Sequence, residues 1–367
     1  MPPTSESPTP RRFWQISWRI GLCSLLLVWI FHSIFVNEAR LAAPSADWVK
    51  LSRTEQWKHG WQEGPERLWR TVTLVNPWWL AISLVLMAAT LFLGVVRWRM
   101  VLEAQGLHLP FRRATEISLV AHFFNSFLLG STGGDLMKAY YAARETHHKK
   151  TEAVVTVFVD RLVGLWAMLL FAGMMMLPNL QTIRQSHVAT LASLLILGML
   201  ALCSFIALLA FRGGVSRRWS GARIWLRRLP KGASLERSLD SCRLFGKQHL
   251  FLTRTLLISM ILNVVCVLQW QAVGYGLGLR IPPLTMLAFV PTVICIAALP
   301  LTPSGLGVRE TLFVNMLNSP NLATSALTLS LLAYAGSLCW SLVGGVVYLL
   351  LKEKHHLARS ELEAQPD

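Results

Sequence analysis

The chain has 367 residues, 53% apolar and only 15% charged, with a mean hydropathy of +0.47. Soluble domains carry about a quarter charged residues, so this composition excludes a water-soluble fold, a disordered chain and a secreted enzyme. The net charge of +16 is concentrated, with eleven Lys/Arg against Glu236 and Asp240 in residues 212–254. Beside an apolar run, such a block is a cytoplasmic loop on anionic lipid rather than a nucleic-acid site, and no nucleic-acid partner is expected.

Residues 1–13 are rich in Pro, Ser and Thr and read as a disordered cytoplasmic tail. Apolar runs at 19–36, 78–96, 153–177, 188–211 and 323–351 are long enough for a hydrocarbon core ~30 Å thick. The first, at about 14–36, is too long for a signal h-region and reads as an uncleaved helix. In the polar segment 37–77, Trp48, Trp57, Trp61 and Trp69 precede Trp78-Trp79 and predict a helix at headgroup level. A span at about 78–101 ends in Arg97 and Arg99. A short apolar segment, 117–129, then stops at Gly130-Ser131-Thr132-Gly133-Gly134. Spans at 153–177 and 188–211, the basic loop, and a span at 255–279 follow. Within the loop, residues 217–229 fit a basic amphipathic helix on the inner leaflet. A second short segment, 284–299, breaks at Pro300-Leu301-Thr302-Pro303-Ser304-Gly305, and the span 323–351 leads into the charged tail 352–367.

Loop charges set the path. Four Arg in residues 97–113, and Lys138, Arg144, Lys149 and Lys150, flank the segment 117–129 on both sides. A re-entrant hairpin keeps both flanks inside, as the positive-inside rule requires. The expected fold is an all-α polytopic membrane protein with six full spans, two re-entrant segments and both termini cytoplasmic. A weak internal repeat agrees: Gly106-Leu107-His108-Leu109-Pro110 matches Gly278-Leu279-Arg280-Ile281-Pro282 at an offset of 172. The units, about 78–180 and 249–351, are joined by one span, so the second is expected to be inverted.

Helices beginning at the two breaks, with Ser131/Thr132 and Thr302/Ser304 as candidate caps, would point positive N-termini at an anion. Lys138 and Arg309 lie one turn in and would add full charge, or else mark the membrane boundary. Asp160-Arg161 lies ~10 Å inside its span, where ionisable groups face a partner or a wet cavity. Arg161 either pairs with a neighbouring helix, Glu310 being one candidate, or grips a lipid phosphate while Asp160 orients it or exchanges protons. His122 and Asn125 could line a polar path, although an interior His with satisfied bonds is the plainer reading. The six cysteines lack metal or disulfide spacing. No nucleotide loop, metal cluster or nucleophile elbow is present, so neither a cofactor nor a catalytic role is expected.

At these residues the chain resembles the lysylphosphatidylglycerol synthase transmembrane region, or flippase-like, family. The stretch from Asn125 through Gly133, Gly134, Asp135 and Lys138 to Tyr141 is similar to its first signature. Asp160-Arg161 resembles its acidic-Arg pair, and the stretch from Pro300 through Pro303, Gly305, Gly307 and Arg309 to Glu310 its second signature. The likeness covers roughly 80–350, with Leu129-Gly130 in place of an expected proline and Lys138 where Arg is common. The resemblance implies a bacterial or archaeal membrane protein that handles anionic or aminoacylated lipids, here without the soluble synthase domain. The expected activity is translocation of a phospholipid or polyprenyl phosphate between leaflets of the inner membrane. An accessory subunit working with envelope-biosynthesis proteins, or an enzyme acting on a lipid phosphate through Asp160 or Glu310, are the alternatives.

Overall fold

Inside a bilayer no water is available to the backbone, so each crossing segment must satisfy its own N–H and C=O groups, and helices result. The computed structural model describes residues 51–73, 75–127, 132–146, 149–212, 249–299, 305, 308–317 and 323–350, with isolated positions between 28 and 50. Most of the expected first span and of the basic loop, the loop's amphipathic helix, and both tails lie outside the described residues. Regular structure among those described is entirely helical. The helices are α1 Arg53–Thr73, α2 Pro77–Ala104, α3 Phe111–Phe127, α4 Thr132–Glu145, α5 Lys150–Met176 and α6 Leu180–Arg184. They continue as α7 His187–Arg212, α8 His249–Gly276, α9 Pro283–Ala297, α10 Val308–Leu317 and α11 Ala323–Leu350.

Five stretches are long and apolar enough to cross a membrane: Pro77–Ala104, Lys150–Arg184, His187–Phe205, Phe251–Gly276 and Thr328–Leu350. Helix α9 is apolar but short. The protein is an all-helical integral membrane protein. Ahead of the first of these stretches, α1 opens with a capping box, in which the Ser52 N–H donates to Glu55 Oε2 at 2.8 Å and the Glu55 N–H to Ser52 Oγ at 3.4 Å. Bonds from the Ser52 hydroxyl and N–H hold the Glu55 carboxyl below the usual carboxylate range. Trp57, Trp61, Trp69 and Trp78 are exposed, as a helix at headgroup level would have them, whereas Trp48 is buried.

Two turns reproduce each other. Helix α2 ends at Gly106, φ +66°, with the Leu107 N–H bonded to Leu102 O and the Gly106 N–H to Glu103 O. Helix α8 ends at Gly278, φ +71°, with Leu279 N–H on Gly274 O and Gly278 N–H on Tyr275 O. Both are Schellman motifs, which need a left-handed residue at that position. In each turn two apolar side chains are buried, Leu107 and Leu109 in the first and Leu279 and Ile281 in the second. The next helix then starts on a proline carbonyl, Ala114 N–H to Pro110 O and Met286 N–H to Pro282 O.

The helices these turns follow run antiparallel. The N-terminus of α2 meets the C-terminus of α8 through Asn76 N–H to Gly276 O at 3.0 Å, while Arg97 near the far end of α2 reaches Ser259 of α8. Helix α3 packs on α11 and α9 packs on α5, so each short helix lies against the last span of the other half. Helices α3 and α4 form a hairpin whose outer ends are tied, Arg113 Nη2 to Glu145 Oε1 at 2.6 Å. Helix α7 packs on α5, α9 and α10.

In lipid, close packing replaces the hydrophobic drive between helices, and small residues set the approach. A Cβ at Gly344 would strike the Leu119 carbonyl of α3 and come within 3.3 Å of the Phe123 Cβ. Gly344→Ala should therefore force α11 off α3 and cost roughly 1–3 kcal/mol or more, as overpacking does. Gly278→Ala meets nothing in space and should lose only the left-handed backbone term of about 1–2 kcal/mol. Thermal unfolding in detergent should rank Gly344→Ala as the less stable; the reverse order would refute the packing account.

Candidate functional site

Two charged groups lie inside the helical body. The first is centred on Asp160, ten residues after Lys150 and thus ~15 Å along α5. Arg97 Nε donates to Asp160 Oδ1 at 2.8 Å and Lys138 Nζ to Oδ2 at 3.2 Å, all three side chains at least 85% buried. Arg97 also donates to Ser259 Oγ at 3.2 Å, and Lys138 sits 4.2 Å over the ring of fully buried Trp98. Gly164 makes room for the Arg97 guanidinium, which a Cβ there would approach to 2.7 Å. Arg161, one residue on, is half-exposed and pairs with Asp135 of α4 at 3.3 Å. The partner suggested for it from sequence, Glu310, is engaged elsewhere.

The second group surrounds that glutamate. Arg309 donates from Nε and Nη2 to Glu310 Oε1 at 3.1 and 2.8 Å, and from Nε to Ser330 Oγ at 3.3 Å. Its guanidinium lies 4.3 Å over the Tyr334 ring, whose hydroxyl donates to Ser126 O at 3.4 Å. Arg309 also lines a cavity of about 320 Å³ between the two halves. Among the described residues, Asn125, His122 and Ser126 of α3, Gln269 of α8 and Ser337 of α11 add polar walls, and the rest is mostly apolar. This is the small end of the range for ligand sites, and it suits a headgroup rather than a whole lipid.

At the first break, the Gly134 N–H near the start of α4 donates to Asn125 Oδ1 at 2.9 Å. Gly134 lies so close to α3 that a Cβ would strike the Ala121 carbonyl. A side chain from the preceding helix thus takes one N–H of the first turn, while Ser131 and the Thr132 side chain, the candidate caps, lie outside the described residues. Gly133 is buried beside it. At the second break, Gly305, φ +72°, accepts the Arg309 N–H at 3.0 Å and abuts the end of α9, where a Cβ on it would come within 2.7 Å of Ala297 O. Pro303 and Gly307, with the candidate caps Thr302 and Ser304, lie outside the described residues.

The residues singled out from sequence therefore divide. Asp135, Lys138, Asp160 and Arg161 belong to the first group, Arg309 and Glu310 to the second, and Asn125 bridges the first break to the cavity. Lys138 and Arg161 are not among the cavity's described lining residues. Arg97, read as a boundary residue, proves to be the closest partner of Asp160. A signal for it existed: Arg97-Trp98 falls on Gln269-Trp270 at the same offset of 172 as the glycine turns. Both members of that match bridge α2 and α8, since Gln269 Nε2 donates to Ser83 Oγ at 3.1 Å. Among the described residues, no cluster of His, Cys, Asp and Glu has the makings of a metal site.

Comparison with known proteins agrees with this anatomy. The family model described as the lysylphosphatidylglycerol synthase TM region matches residues 57–352, which include both breaks and both charged groups. A UPF0104 membrane protein of Pyrococcus horikoshii is 25% identical over 272 residues, covering 68% of this chain and 79% of that protein. With the match running through nearly all the described helices, the chain belongs to the lysylphosphatidylglycerol synthase TM region family.

Proposed function

We propose that the protein binds a phosphate-headed lipid, an anionic phospholipid or polyprenyl phosphate, and carries it between the leaflets of a bacterial cytoplasmic membrane. One observation carries this reading: the cavity between the halves, where Arg309 is held by Glu310 and Tyr334 in a mostly apolar wall. Its Nε and Nη2 are occupied by Glu310, which leaves Nη1 as the donor for a phosphate oxygen. An Arg inside a membrane is costly unless it faces a partner or a cavity that can admit polar groups, and this one is paired with Glu310 at the edge of a cavity. The lipid chains would stay in the bilayer while the headgroup enters.

The accompanying topology is six spans and two re-entrant hairpins in inverted repeats, with both termini and the basic loop cytoplasmic. The antiparallel α2–α8 pair, the matching Schellman turns and the exchange of short helices between halves support it. The Arg113–Glu145 tie supports a hairpin that leaves the membrane on the side it entered. Two such halves can rock about the α2–α8 contact and open the cavity to either leaflet.

Vesicles carrying the purified protein and a trace of fluorescent phosphatidylglycerol should surrender inner-leaflet label to a membrane-impermeant quencher. Protein-free vesicles should retain it. Equal protection in both preparations would overturn the transport reading.

A further inference from the structure

The cavity holds a second group that can carry charge. His122 lies on α3, and its Nε2 is 3.1 Å from the backbone carbonyl of Ser337 and 3.3 Å from the Ser337 hydroxyl, both on α11. A carbonyl only accepts, so Nε2 carries the ring proton and Nδ1 is the bare nitrogen of the neutral imidazole. The ring is thus held at one end by a fixed acceptor and can take a proton at the other. The residue lines the same cavity as Arg309.

Among the described residues, charge in this cavity is sparse. From α10 comes Arg309, neutralised by Glu310; from α8 comes Cys266; from α11 comes Tyr334; α2 and α9 contribute apolar side chains. Asp135 and Lys138 of α4, which like α2 and α11 packs on α3, are bonded to Arg161 and Asp160 and are not among the lining residues. The cavity's own side chains are therefore balanced, and a proton on His122 would be an uncompensated cation beside Arg309. A phosphate diester brings a single negative charge. With it in place, a proton on Nδ1 restores neutrality, and both are stabilised in a medium that penalises net charge.

We propose that His122 is the proton-binding group of the lipid cavity, so that the protein takes up one proton with each phosphodiester-headed lipid and carries the two together without net charge. This rests on the reading of the cavity as the headgroup site, and it names the coupling ion. The proton comes from solvent when the lipid enters and returns to it when the lipid leaves. The sign follows from linkage: an anion that favours the protonated ring tightens binding at low pH, and the gain is lost as pH rises through the titration of the lipid-bound ring. One linked proton limits the dependence to about tenfold in Kd per pH unit within that window.

The test is the affinity of purified protein in a neutral detergent for a fluorescent short-chain phosphatidylglycerol, from about pH 5 to about pH 8, where imidazoles titrate. Wild-type protein should bind more tightly as pH falls, with proton uptake in weakly buffered solution, and diacylglycerol of the same chains should elicit neither. His122→Gln keeps a donor for the Ser337 carbonyl and should bind at a pH-independent level equal to the weak, high-pH limit of the wild type. His122→Asn should do the same, and provides a second chance of a folded variant. A pH-independent wild type that binds the lipid, or variants that keep the wild-type slope, would overturn the proton coupling and leave the headgroup site standing. Failure of the wild type to bind the lipid at any pH would overturn both.

Discussion

Asp160→Asn should lower stability by about 3–5 kcal/mol, because it leaves the Arg97 guanidinium and the Lys138 ammonium buried together without their shared anion. The loss should appear as a fall in melting temperature in detergent and in the yield of monodisperse protein. Removing one excess cation at the same time should recover much of it: Lys138→Met in the Asp160→Asn background leaves Arg97 bonded to Ser259 and to the carbamoyl oxygen of the substituted side chain. A double-mutant cycle then isolates the coupling, which for contacting charges of this kind should exceed about 1 kcal/mol. Arg161, half-exposed and paired with Asp135, gives the internal contrast. Its replacement by Gln should cost less than about 1 kcal/mol, as for other solvent-accessible pairs. If Asp160→Asn were as stable as the parent, the group around Asp160 would not be a structural clamp between α2, α4 and α5.

That clamp marks where sequence reasoning reached its limit. Asp160 stood out because a carboxylate deep in an apolar run needs a reason. Its partner did not, because Arg97 lies seven residues from the end of α2 and resembles a boundary charge. Helical periodicity tells which residues share a face, but nothing in it pairs side chains 63 positions apart. The glycine turns were legible for the opposite reason. A Schellman turn is local, its chemistry is confined to about six residues, and so Gly106-Leu107 and Gly278-Leu279 could be matched and later found with the same bonds. Both breaks were legible, but not the bond that Asn125 makes across the first of them to the Gly134 N–H. The same locality explains why Lys138 and Arg309, which stand four residues after Gly134 and Gly305, ended in different surroundings. Lys138 has Asp160 on the next helix, whereas the place of Asp160 in the second unit is taken by Leu332 at the repeat offset of 172, so Arg309 turns to its neighbour Glu310 and to Tyr334.

Removing the Arg309 guanidinium should then separate lipid handling from folding, provided its partner is removed with it. Arg309→Ala alone takes the cation from Glu310, which is almost fully buried, and the variant should be less stable than the parent. The double variant Arg309→Met, Glu310→Gln removes both charges while keeping similar volume. Replacing a buried pair in this way is often neutral for stability, so the double variant should insert and melt near the parent. It should nevertheless lose a charge-assisted hydrogen bond to phosphate of about 1.5–3 kcal/mol, or roughly 10–100-fold in lipid affinity, with transport falling in step. Arg309→Lys retains the charge but not the planar fork that can grip Glu310 and a phosphate oxygen together, so it should bind more weakly than the parent and better than the double variant. Binding and quencher-accessibility measurements on these proteins decide the matter: a folded double variant that moves lipid at the parental rate would remove Arg309 from the headgroup site and the cavity from the mechanism.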